Sequence, residues 1–336
     1  MVRVGLVGVG FMGRTHFDAY ANIPNTQVTA LADIDPHRAK GDMSTVWGNL
    51  PTGGTSQLPM DGVASTTDYK ELVAMDDVDV IDICVQTPGH KDVALVATKA
   101  GKHVVCEKPL ARTSSDARQI ATAANQSEGY FMPAMCIRFW PGWAWAKEVL
   151  DNGRFGKVLA ANFRRVSDPP PGWYQDGALS GGAALDLHLH DTDFVQYLFG
   201  VPNGVSSHGY VKHTGEVDHL VTTYLYDDVP LVVAEGGWAM SGGFGFTMRY
   251  TINFENATID YNLDRGDEAL VIHQGGNTEV ITIESKSGQE VELAYFADCI
   301  EKGEPPSVVT VDDAVAAIRI VEAEVQSVRT GAPVTM

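Results

Sequence analysis

Length, composition and charge limit what this chain can be before any motif is considered. At 336 residues it is long enough for two domains, and 44% hydrophobic with 20% charged residues is ordinary for a globular protein. A formal net charge of −19 without a basic stripe argues against nucleic acid or an anionic membrane as partner. No apolar run is long enough to span a membrane, and no signal peptide precedes the first predicted strand.

The positions of the cysteines indicate whether the protein belongs to a reducing or an oxidising compartment of the cell. The four of them stand far apart and form no CxxC pair. Cys84 and Cys106 lie in apolar runs typical of buried strands, where reduced thiols are common. We therefore expect a protein of the reducing cytoplasm.

A glycine-rich turn follows the first predicted strand. Val2–Val7 is a short β-branched run, and Gly8-Val9-Gly10-Phe11-Met12-Gly13 comes directly after it, before a helical pattern. Strand, G-x-G-x-x-G and helix in this order are typical of dinucleotide binding, because the glycines permit a tight turn and let the pyrophosphate approach the backbone. The unpaired N–H groups at the helix start, at Phe11 and Met12, then face the phosphates. A glycine-rich turn without a ligand is the alternative.

A carboxylate stands at the end of the second predicted strand. Asp33 lies 20 residues beyond Gly13, where an acid accepts hydrogen bonds from the adenosine ribose hydroxyls. Because a carboxylate there repels a 2′-phosphate, the sequence predicts NAD as the cofactor and disfavours NADP. Arg38 is close enough in sequence to reach the same site, so we count it among the cofactor residues.

Helices and strands alternate through the rest of the first third. We predict helices over 36–46, 68–75 and 91–100, a surface loop of unknown role over 47–62, and strands over 78–85 and 102–106. Thr87 and Pro88 follow the strand over 78–85, at an edge where doubly wound sheets bind ligands, and are predicted to line the cofactor site. His90 either lines that site or is a polar residue at a helix start.

An acid and a lysine follow the strand over 102–106. Glu107-Lys108-Pro109 stands at the carboxyl end of that strand, and proline stiffens the turn. Beside a bound nicotinamide, Lys108 is well placed for chemistry, and Glu107 supports it. We count both Glu107 and Lys108 among the cofactor-binding residues. A surface ion pair is the alternative.

Residues 180–194 are dense in chemical groups. After Gly181 and Gly182, Asp186 and His190 stand four apart, so a helix places both on one face. Three more polar residues crowd the same segment: His188, Asp191 and Asp193. Three interpretations are open here: a metal site, an acid–base pair in which the carboxylate orients the imidazole, or a polar helix start.

The second half otherwise predicts a sheet and a closing helix over 312–329. Two-residue alternation between turn residues indicates antiparallel strands over 157–167, 205–210, 217–226, 230–238, 246–254, 257–261, 269–273 and 279–283. The uncovered face of such a sheet favours dimerisation.

Several large side chains near its start have two interpretations each. Arg138 binds a substrate oxygen or pairs with a buried acid. Trp173, in the proline-rich loop 168–174, covers a pocket or pins its loop. Three tryptophans pack in a core or form a wall for sugar stacking: Trp140, Trp143 and Trp145.

Together these motifs resemble the Gfo/Idh/MocA family of nicotinamide-dependent oxidoreductases over essentially the whole chain. The resembling residues are Gly8 to Gly13, Asp33, Thr87-Pro88, Ala100 to Val104, Glu107-Lys108-Pro109-Leu110, Arg138-Phe139, Gly153 to Val158, Gly181-Gly182, Asp186, His190, Pro305-Pro306 and Thr330-Gly331. Two positions depart from the pattern. Ala183 stands where many members have a third glycine, and His188 stands where a small residue is frequent.

The resemblance implies a two-domain α/β protein. An N-terminal Rossmann domain with a doubly wound parallel sheet, residues 1–125, binds NAD. A C-terminal α+β domain with a large, mainly antiparallel sheet, residues 126–336, binds substrate and forms oligomers, so we expect a homodimer or homotetramer. Substrate is expected between that sheet and the nicotinamide.

The resemblance also implies roles. Lys108, Asp186 and His190 form the catalytic set: His190 is the general base, Lys108 donates to the reacting oxygen, and Asp186 anchors a neighbouring hydroxyl. No metal is then needed, and His188 and Asp193 revert to structure or pocket lining. We count Arg138, Trp173 and Asp191 with the catalytic set as substrate-binding residues.

The segment Leu189-His190-Asp191-x-Asp193 resembles the inositol-dehydrogenase branch of the family. We therefore expect hydride transfer between NAD(H) and a hydroxyl or keto carbon of a cyclic polyol or sugar. Three alternatives stay open: a dehydrogenase or reductase of a keto- or anhydro-sugar, an NAD-dependent glycoside-cleaving relative, and an NAD-responsive binding protein without catalysis.

Overall fold

The structure, a computed structural model, describes residues 1–48 and 56–336, so part of the predicted loop over 47–62 lies outside the described residues. By its internal contacts the chain separates into two units. Unit 1 comprises Met1–Ala111, Ser115–Cys136 and Ser287–Val315, and unit 2 comprises Arg112–Ser114, Ile137–Lys286 and Ala316–Met336. This division differs from the predicted domains 1–125 and 126–336, because the strand over 131–134 and the helix over 288–302 both pack within unit 1.

Unit 1 is built on a parallel sheet. Its strands are β1 (Val2–Val7), β2 (Thr26–Ala32), β3 (Ala64–Thr66), β4 (Val80–Ile83), β5 (His103–Glu107) and β6 (Phe131–Ala134). They lie in the order β3-β2-β1-β4-β5-β6, and every pairing is parallel. The apolar run of β4 is buried at all four positions, as expected for a strand covered on both faces. The predicted doubly wound sheet is confirmed, and its order reverses between β1 and β4, where such sheets bind ligands.

Ten α-helices run through the described residues. They are α1 (Phe11–Tyr20), α2 (Pro36–Ala39), α3 (Tyr69–Val73), α4 (His90–Lys99), α5 (Ser114–Asn125), α6 (Pro141–Asp151), α7 (Gly177–Ser180), α8 (Leu189–Phe199), α9 (Gly288–Lys302) and α10 (Val311–Thr330). The prediction of a helix over 36–46 is wrong in length, because Lys40 leaves the helical conformation and Gly41 turns the chain at φ +83°. Within residues 1–48 and 56–336, no helix is both long and apolar enough to cross a membrane.

Unit 2 is built on a nine-stranded sheet. Its strands are β7 (Val158–Ser167), β8 (Gly204–Tyr210), β9 (His219–Leu225), β10 (Leu231–Gly237), β11 (Phe246–Phe254), β12 (Thr258–Asn262), β13 (Leu270–Gln274), β14 (Asn277–Ile281) and β15 (Val334–Thr335). They lie in the order β14-β13-β12-β11-β7-β10-β9-β8-β15. β7 and β10 pair in parallel and the other pairings are antiparallel, so the predicted mainly antiparallel sheet is confirmed.

An aromatic cluster forms the core between this sheet and its helices. Trp143 of α6 is fully buried, and its ring lies edge-on to Phe194 of α8 at 4.8 Å and to Tyr250 of β11 at 5.0 Å. Tyr261 of β12 stacks on Tyr250 at 5.4 Å. Trp143 therefore packs in a core and is not part of a sugar-stacking wall.

A buried carboxylate holds the loop between β8 and β9. Asp218 accepts hydrogen bonds from the backbone N–H groups of Lys212, His213 and Thr214, from the Thr214 hydroxyl and from the Trp238 indole. Burial raises the pKa of Asp218, but these donors outweigh burial and hold the pKa below its usual value. Carbonyl groups of the same loop accept hydrogen bonds from the backbone N–H groups of Gly177 and Ala184. The loop therefore supports the start of the 180–194 segment.

We expect Asp218→Asn to lower the free energy of unfolding by about 2–4 kcal/mol, because several buried donors lose a charged acceptor. Since the folded pKa lies below the unfolded one, the ionised carboxylate stabilises fully above about pH 4, and its contribution is lost as the pH falls further. Urea unfolding as a function of pH should show the difference from wild type shrinking at the acid end. The exposed Asp267→Asn is the matched control; equal stability of Asp218→Asn and wild type at neutral pH would contradict this role.

Candidate active site

The glycine turn of unit 1 fits the pyrophosphate of a dinucleotide. Gly8 has φ +92°, and a Cβ there would lie 2.6 Å from the Val85 nitrogen. A Cβ on Gly13 would lie 2.1 Å from the Gly8 carbonyl oxygen. Around Gly10, by contrast, no atom of the described residues lies within 4 Å of the Cβ position, which leaves room for a ligand. Helix α1 begins at Phe11 without a side-chain cap, so its first N–H groups can bind an anion.

Asp33 lies at the end of β2 and contacts the same turn. Its Oδ2 accepts a hydrogen bond from the Val9 N–H at 2.8 Å, and its Oδ1 accepts one from the Asp35 N–H at 2.8 Å. The Arg38 guanidinium donates to Oδ1 from Nε at 3.2 Å and from Nη2 at 3.0 Å. The carboxylate is thus held where ribose recognition was predicted, and Arg38 acts as its partner. This pairing favours NAD over NADP.

Lys108 follows β5, in a turn held by a chain of buried hydrogen bonds. The Lys108 N–H donates to Glu107 Oε2 at 2.9 Å, and Glu107 Oε1 lies 3.1 Å from His16 Nε2. His16 Nδ1 lies 2.8 Å from Asp82 Oδ2. Burial lowers the pKa of His16, but the charges of Asp82 and Cys84 outweigh it and hold the pKa well above its usual value. Glu107 is 5% exposed and accepts a hydrogen bond from the Lys108 backbone, so Glu107 supports this turn from the interior and not from the surface.

His90 holds the other side of this turn. Its Nδ1 lies 2.9 Å from the Pro109 carbonyl oxygen and its Nε2 3.0 Å from the Val85 carbonyl oxygen. Burial lowers the pKa of His90, so the neutral ring donates to one of the two carbonyls at a time. His90 is buried inside unit 1 with both ring nitrogens against backbone carbonyls, which favours a supporting role over the predicted contact with the cofactor. Thr87 is buried and Pro88 is exposed at the start of the same segment.

In unit 2, Asp186 and His190 lie on one helical segment that begins with a π-helix. The π-helix spans Ala184–His188 and continues directly into α8. Gly181 and Gly182, at φ +87° and +70°, bring the chain into it. The predicted helix is present, but its first turn is wider than an α-turn, a feature frequent at functional sites. Asp186 is buried at 8% exposure, and His190 is partly exposed.

Two neighbouring acids are held in buried ion pairs. Asp191 Oδ2 accepts from Arg165 Nε at 2.8 Å, and Asp193 accepts from Arg138 Nε at 2.8 Å and from Arg138 Nη2 at 2.6 Å. All four side chains are at most 3% exposed. Because the charges of Arg138 and Asp191 are paired inside unit 2, the ion pairs favour a structural role for both over the predicted substrate binding. For Asp193 they favour structure over pocket lining.

His188, which departs from the family pattern, is accommodated by a glycine. Its Nε2 lies 3.3 Å from the Tyr224 hydroxyl and 3.5 Å from Glu324 Oε2, and the ring is fully buried. Burial lowers the pKa of His188, but the Glu324 charge outweighs burial and raises it. A Cβ on Gly236 of β10 would lie 2.3 Å from His188 Nδ1. The glycine thus makes room for the larger ring, and His188 belongs to the core.

The loop before this segment is pinned by aromatic contacts. The Trp173 and Tyr174 ring centroids lie 4.3 Å apart, and Tyr174 lies edge-on to the buried Trp238. Trp173 remains partly exposed. The stacking supports loop pinning through Tyr174 and leaves Trp173 as a predicted substrate contact.

The sequence patterns do not single out the residues that support the Lys108 turn. His16 lies on α1 within a helical pattern, and Asp82 lies in an otherwise apolar strand. A carboxylate inside a strand buried on both faces was the available signal, because an ionisable group there requires a partner.

Comparison with known proteins identifies the family. The model of the GFO_IDH_MocA oxidoreductase family's NAD-binding Rossmann fold matches residues 2–135. The model of the same family's C-terminal alpha/beta domain matches residues 147–336. Unit 1 therefore contains an NAD-binding domain, in agreement with its glycine turn and Asp33.

Relatives of this chain include dehydrogenases that are named for sugars and polyols. Levoglucosan dehydrogenase of Pseudarthrobacter phenanthrenivorans is 29% identical over 61% of this chain, and the match spans 53% of that relative, about half its length. Scyllo-inositol 2-dehydrogenase (NAD(+)) of Bacillus subtilis is 24% identical over 100% of this chain and 96% of the relative. A solved structure of levoglucosan dehydrogenase with NADH and levoglucosan has a TM-score of 0.85 at 22% identity, covering 99% of both chains. At that identity the likeness shows the fold.

We expect Asp33→Ser to raise the Kd for NADH and lower the Kd for NADPH. The substitution removes the ribose acceptor and releases Arg38 to pair with a 2′-phosphate, so the ratio of the two Kd values should change by about 10- to 100-fold. Titration of nicotinamide fluorescence measures both. Asp35→Ser is the matched control, because Asp35 lies in the same loop and its Oδ2 is 4.0 Å from Arg38 Nε. An unchanged ratio in Asp33→Ser would contradict the role of Asp33.

Proposed function

Since this chain belongs to the Gfo/Idh/MocA family of oxidoreductases, we propose that it transfers a hydride between NAD(H) and a hydroxyl or keto carbon of a cyclic polyol or sugar. The observation that carries the proposal lies within unit 1. Lys108 follows β5 in a turn held by Glu107 and His90, on the edge of the parallel sheet that also bears the glycine turn and Asp33.

The substrate class is supported by the relatives and by the segment around His190. The 29% identical relative is named for levoglucosan, and the one matching over 100% of this chain is named for scyllo-inositol. An inositol is the substrate we favour, because Leu189-His190-Asp191-x-Asp193 resembles the inositol-dehydrogenase branch. An anhydro- or keto-sugar is the second candidate, favoured by the levoglucosan dehydrogenase match.

The cofactor is held by the residues already described. The N–H groups of Phe11 and Met12, beside the open face of Gly10, are suited to the pyrophosphate, and Asp33 is suited to the ribose hydroxyls. Bound NAD supplies the hydride acceptor or donor at its nicotinamide ring. The task left to the protein is to orient the reacting carbon, move the hydroxyl proton and stabilise the charge on oxygen.

We assign these tasks to three side chains. Lys108 donates a hydrogen bond to the reacting oxygen, and its positive charge stabilises the alkoxide as it develops. His190, which is partly exposed, takes the hydroxyl proton in oxidation and returns it in reduction. Asp186 accepts a hydrogen bond from a neighbouring substrate hydroxyl and helps to orient the His190 ring. Asp191 and Arg138 act indirectly, by holding α8 in place through their ion pairs.

A panel of inositols, aldoses, keto-sugars and levoglucosan, each offered with NAD and with NADP, tests the proposal through the absorbance of reduced nicotinamide. We expect turnover with NAD on at least one cyclic polyol or sugar. On the best substrate, Lys108→Met should lower kcat by about 10² or more, because the positive charge beside the reacting oxygen is lost. NADH affinity should be retained, since Lys108 is not assigned to the phosphates or the ribose.

Lys99→Met is the matched control, because Lys99 is exposed at the end of α4. Undiminished kcat in Lys108→Met would contradict the proposed mechanism. Absence of turnover across the panel, together with NAD that copurifies and does not exchange, would favour the glycoside-cleaving alternative.

A further inference from the structure

Five chemically active side chains meet in the interior of unit 1, and none of them is assigned to hydride transfer. His16 lies on α1, Asp82 on β4 with Cys84 just after it, Glu107 at the end of β5, and Glu292 on α9. His16, Asp82 and Glu292 are fully buried, and Glu107 and Cys84 nearly so. We call these five residues the buried cluster. Because Asp82 and Cys84 are two residues apart at the end of one strand, their side chains lie on the same face of the sheet.

Three of these side chains place metal-ligand atoms close together. His16 Nδ1 lies 2.8 Å from Asp82 Oδ2 and 3.4 Å from Cys84 Sγ, and Cys84 Sγ lies 3.4 Å from Asp82 Oδ1. A tetrahedral zinc ion, with bonds of about 2.0 Å to nitrogen and oxygen and about 2.3 Å to sulfur, holds its ligand atoms about 3.3–3.6 Å apart. A shift of about 0.5 Å between the His16 and Asp82 atoms therefore opens this triangle to a metal ion.

Glu292 provides an independent observation. Its carboxyl is fully buried, and neither of its oxygens has a hydrogen-bond partner among the described residues. Burial and the charge of Glu107 raise the pKa of Glu292 well above its usual value, and His16 and Asp82 also act on it electrostatically. Protonation alone does not satisfy this group, because the O–H would itself need an acceptor. A cation beside the carboxylate does satisfy it.

His16 Nε2 lies against a carboxylate, as the second ring nitrogen of a metal-bound histidine commonly does. His16 Nε2 lies 3.1 Å from Glu107 Oε1. In metal sites the ring nitrogen that faces away from the ion usually donates to a carboxylate, which sets the tautomer and makes the ligand more basic. Glu107 therefore lies where an outer-sphere carboxylate is expected, and it carries the contact onward to the Lys108 backbone.

The charge balance of the buried cluster also favours a bound cation. Three carboxyl groups and a thiol lie buried around one imidazole, and a negative excess of this size requires a cation or several protons. One divalent ion neutralises two carboxylates, or a carboxylate and a thiolate. The mixed nitrogen, sulfur and oxygen donors suit zinc and similar transition metals better than calcium or magnesium, which prefer oxygen alone.

We propose that unit 1 binds one divalent transition-metal ion of the zinc class through His16, Asp82 and Cys84, whose ligand atoms all lie within 4.8 Å of one another, with the Glu292 carboxylate as a further negative charge nearby. The ion takes the place of the proton between His16 and Asp82, and its binding releases protons from His16 Nδ1 and Cys84 to solvent. It links α1 and β4, and through Glu107 it supports the Lys108 turn. Its role is structural, and the proposal stands independently of the proposed hydride transfer.

The test uses the full chain, stripped with a chelator and titrated with Co²⁺. We expect about one Co²⁺ per chain, a thiolate-to-cobalt charge-transfer band in the near ultraviolet, loss of that band on adding Zn²⁺, and a higher Tm with either ion. Cys84→Ser should abolish the band. Glu292→Gln, which keeps the side-chain shape, should weaken Co²⁺ binding by about tenfold or more. Cys299→Ser is the matched control, because Cys299 is a buried thiol outside the cluster.

NADH titration of each variant establishes that unit 1 is folded. A wild-type chain that shows neither the band nor a change in Tm overturns the proposal, and the cluster then balances its charge with protons. A band that persists in folded Cys84→Ser, or equal Co²⁺ affinity in wild type and folded Glu292→Gln, overturns it as well, because the ion is then bound elsewhere.

Discussion

The position of Lys108 depends on buried ionisable side chains that hold its backbone through hydrogen bonds. Glu107 accepts the Lys108 N–H, His16 lies against Glu107, and Asp82 lies against His16, so a reactive side chain at the sheet edge is tied to groups in the interior. Because buried polar groups are costly unless paired, this chain of contacts resists rearrangement. His90 holds the following carbonyl from the other side. In the proposed mechanism Lys108 meets one substrate oxygen, and a turn held in this way makes its position more precise.

In unit 2, the polar residues of the segment 180–194 have different kinds of contacts. Asp191 and Asp193 are bound to buried arginines, and His188 is enclosed beside Tyr224 and Glu324. These contacts hold α8 by its polar side. The proposed catalytic pair, Asp186 and His190, occupies the π-helix and the first turn after it. Within 180–194, Asp191, Asp193 and His188 thus hold the helix, and we assign the proposed acid–base step to Asp186 and His190.

Much of this could be predicted from sequence, and the failures have physical causes. The glycine turn, Asp33 and the strand alternation are local patterns, so the two sheets and the cofactor were predictable. The pairing of Arg138 with Asp193 joins residues 55 apart, and the contact of His16 with Glu107 joins residues 91 apart, so no local pattern reveals either. Helix α9 was not predicted, and it packs on α1, β1 and β6 of unit 1 although it follows the sheet of unit 2 in sequence. The π-helix needs backbone geometry that α-helical periodicity does not encode.

The central claim is that hydrogen passes directly between a substrate carbon and the nicotinamide, with the proton of the hydroxyl handled separately by the protein. A substrate deuterated at the reacting carbon tests this directly, with NMR of the reduced cofactor as the measurement. Direct transfer predicts one deuterium at C4 of NADH, on a single face of the ring, and none in the solvent. Unlabelled NADH, with the deuterium lost to water, would contradict it.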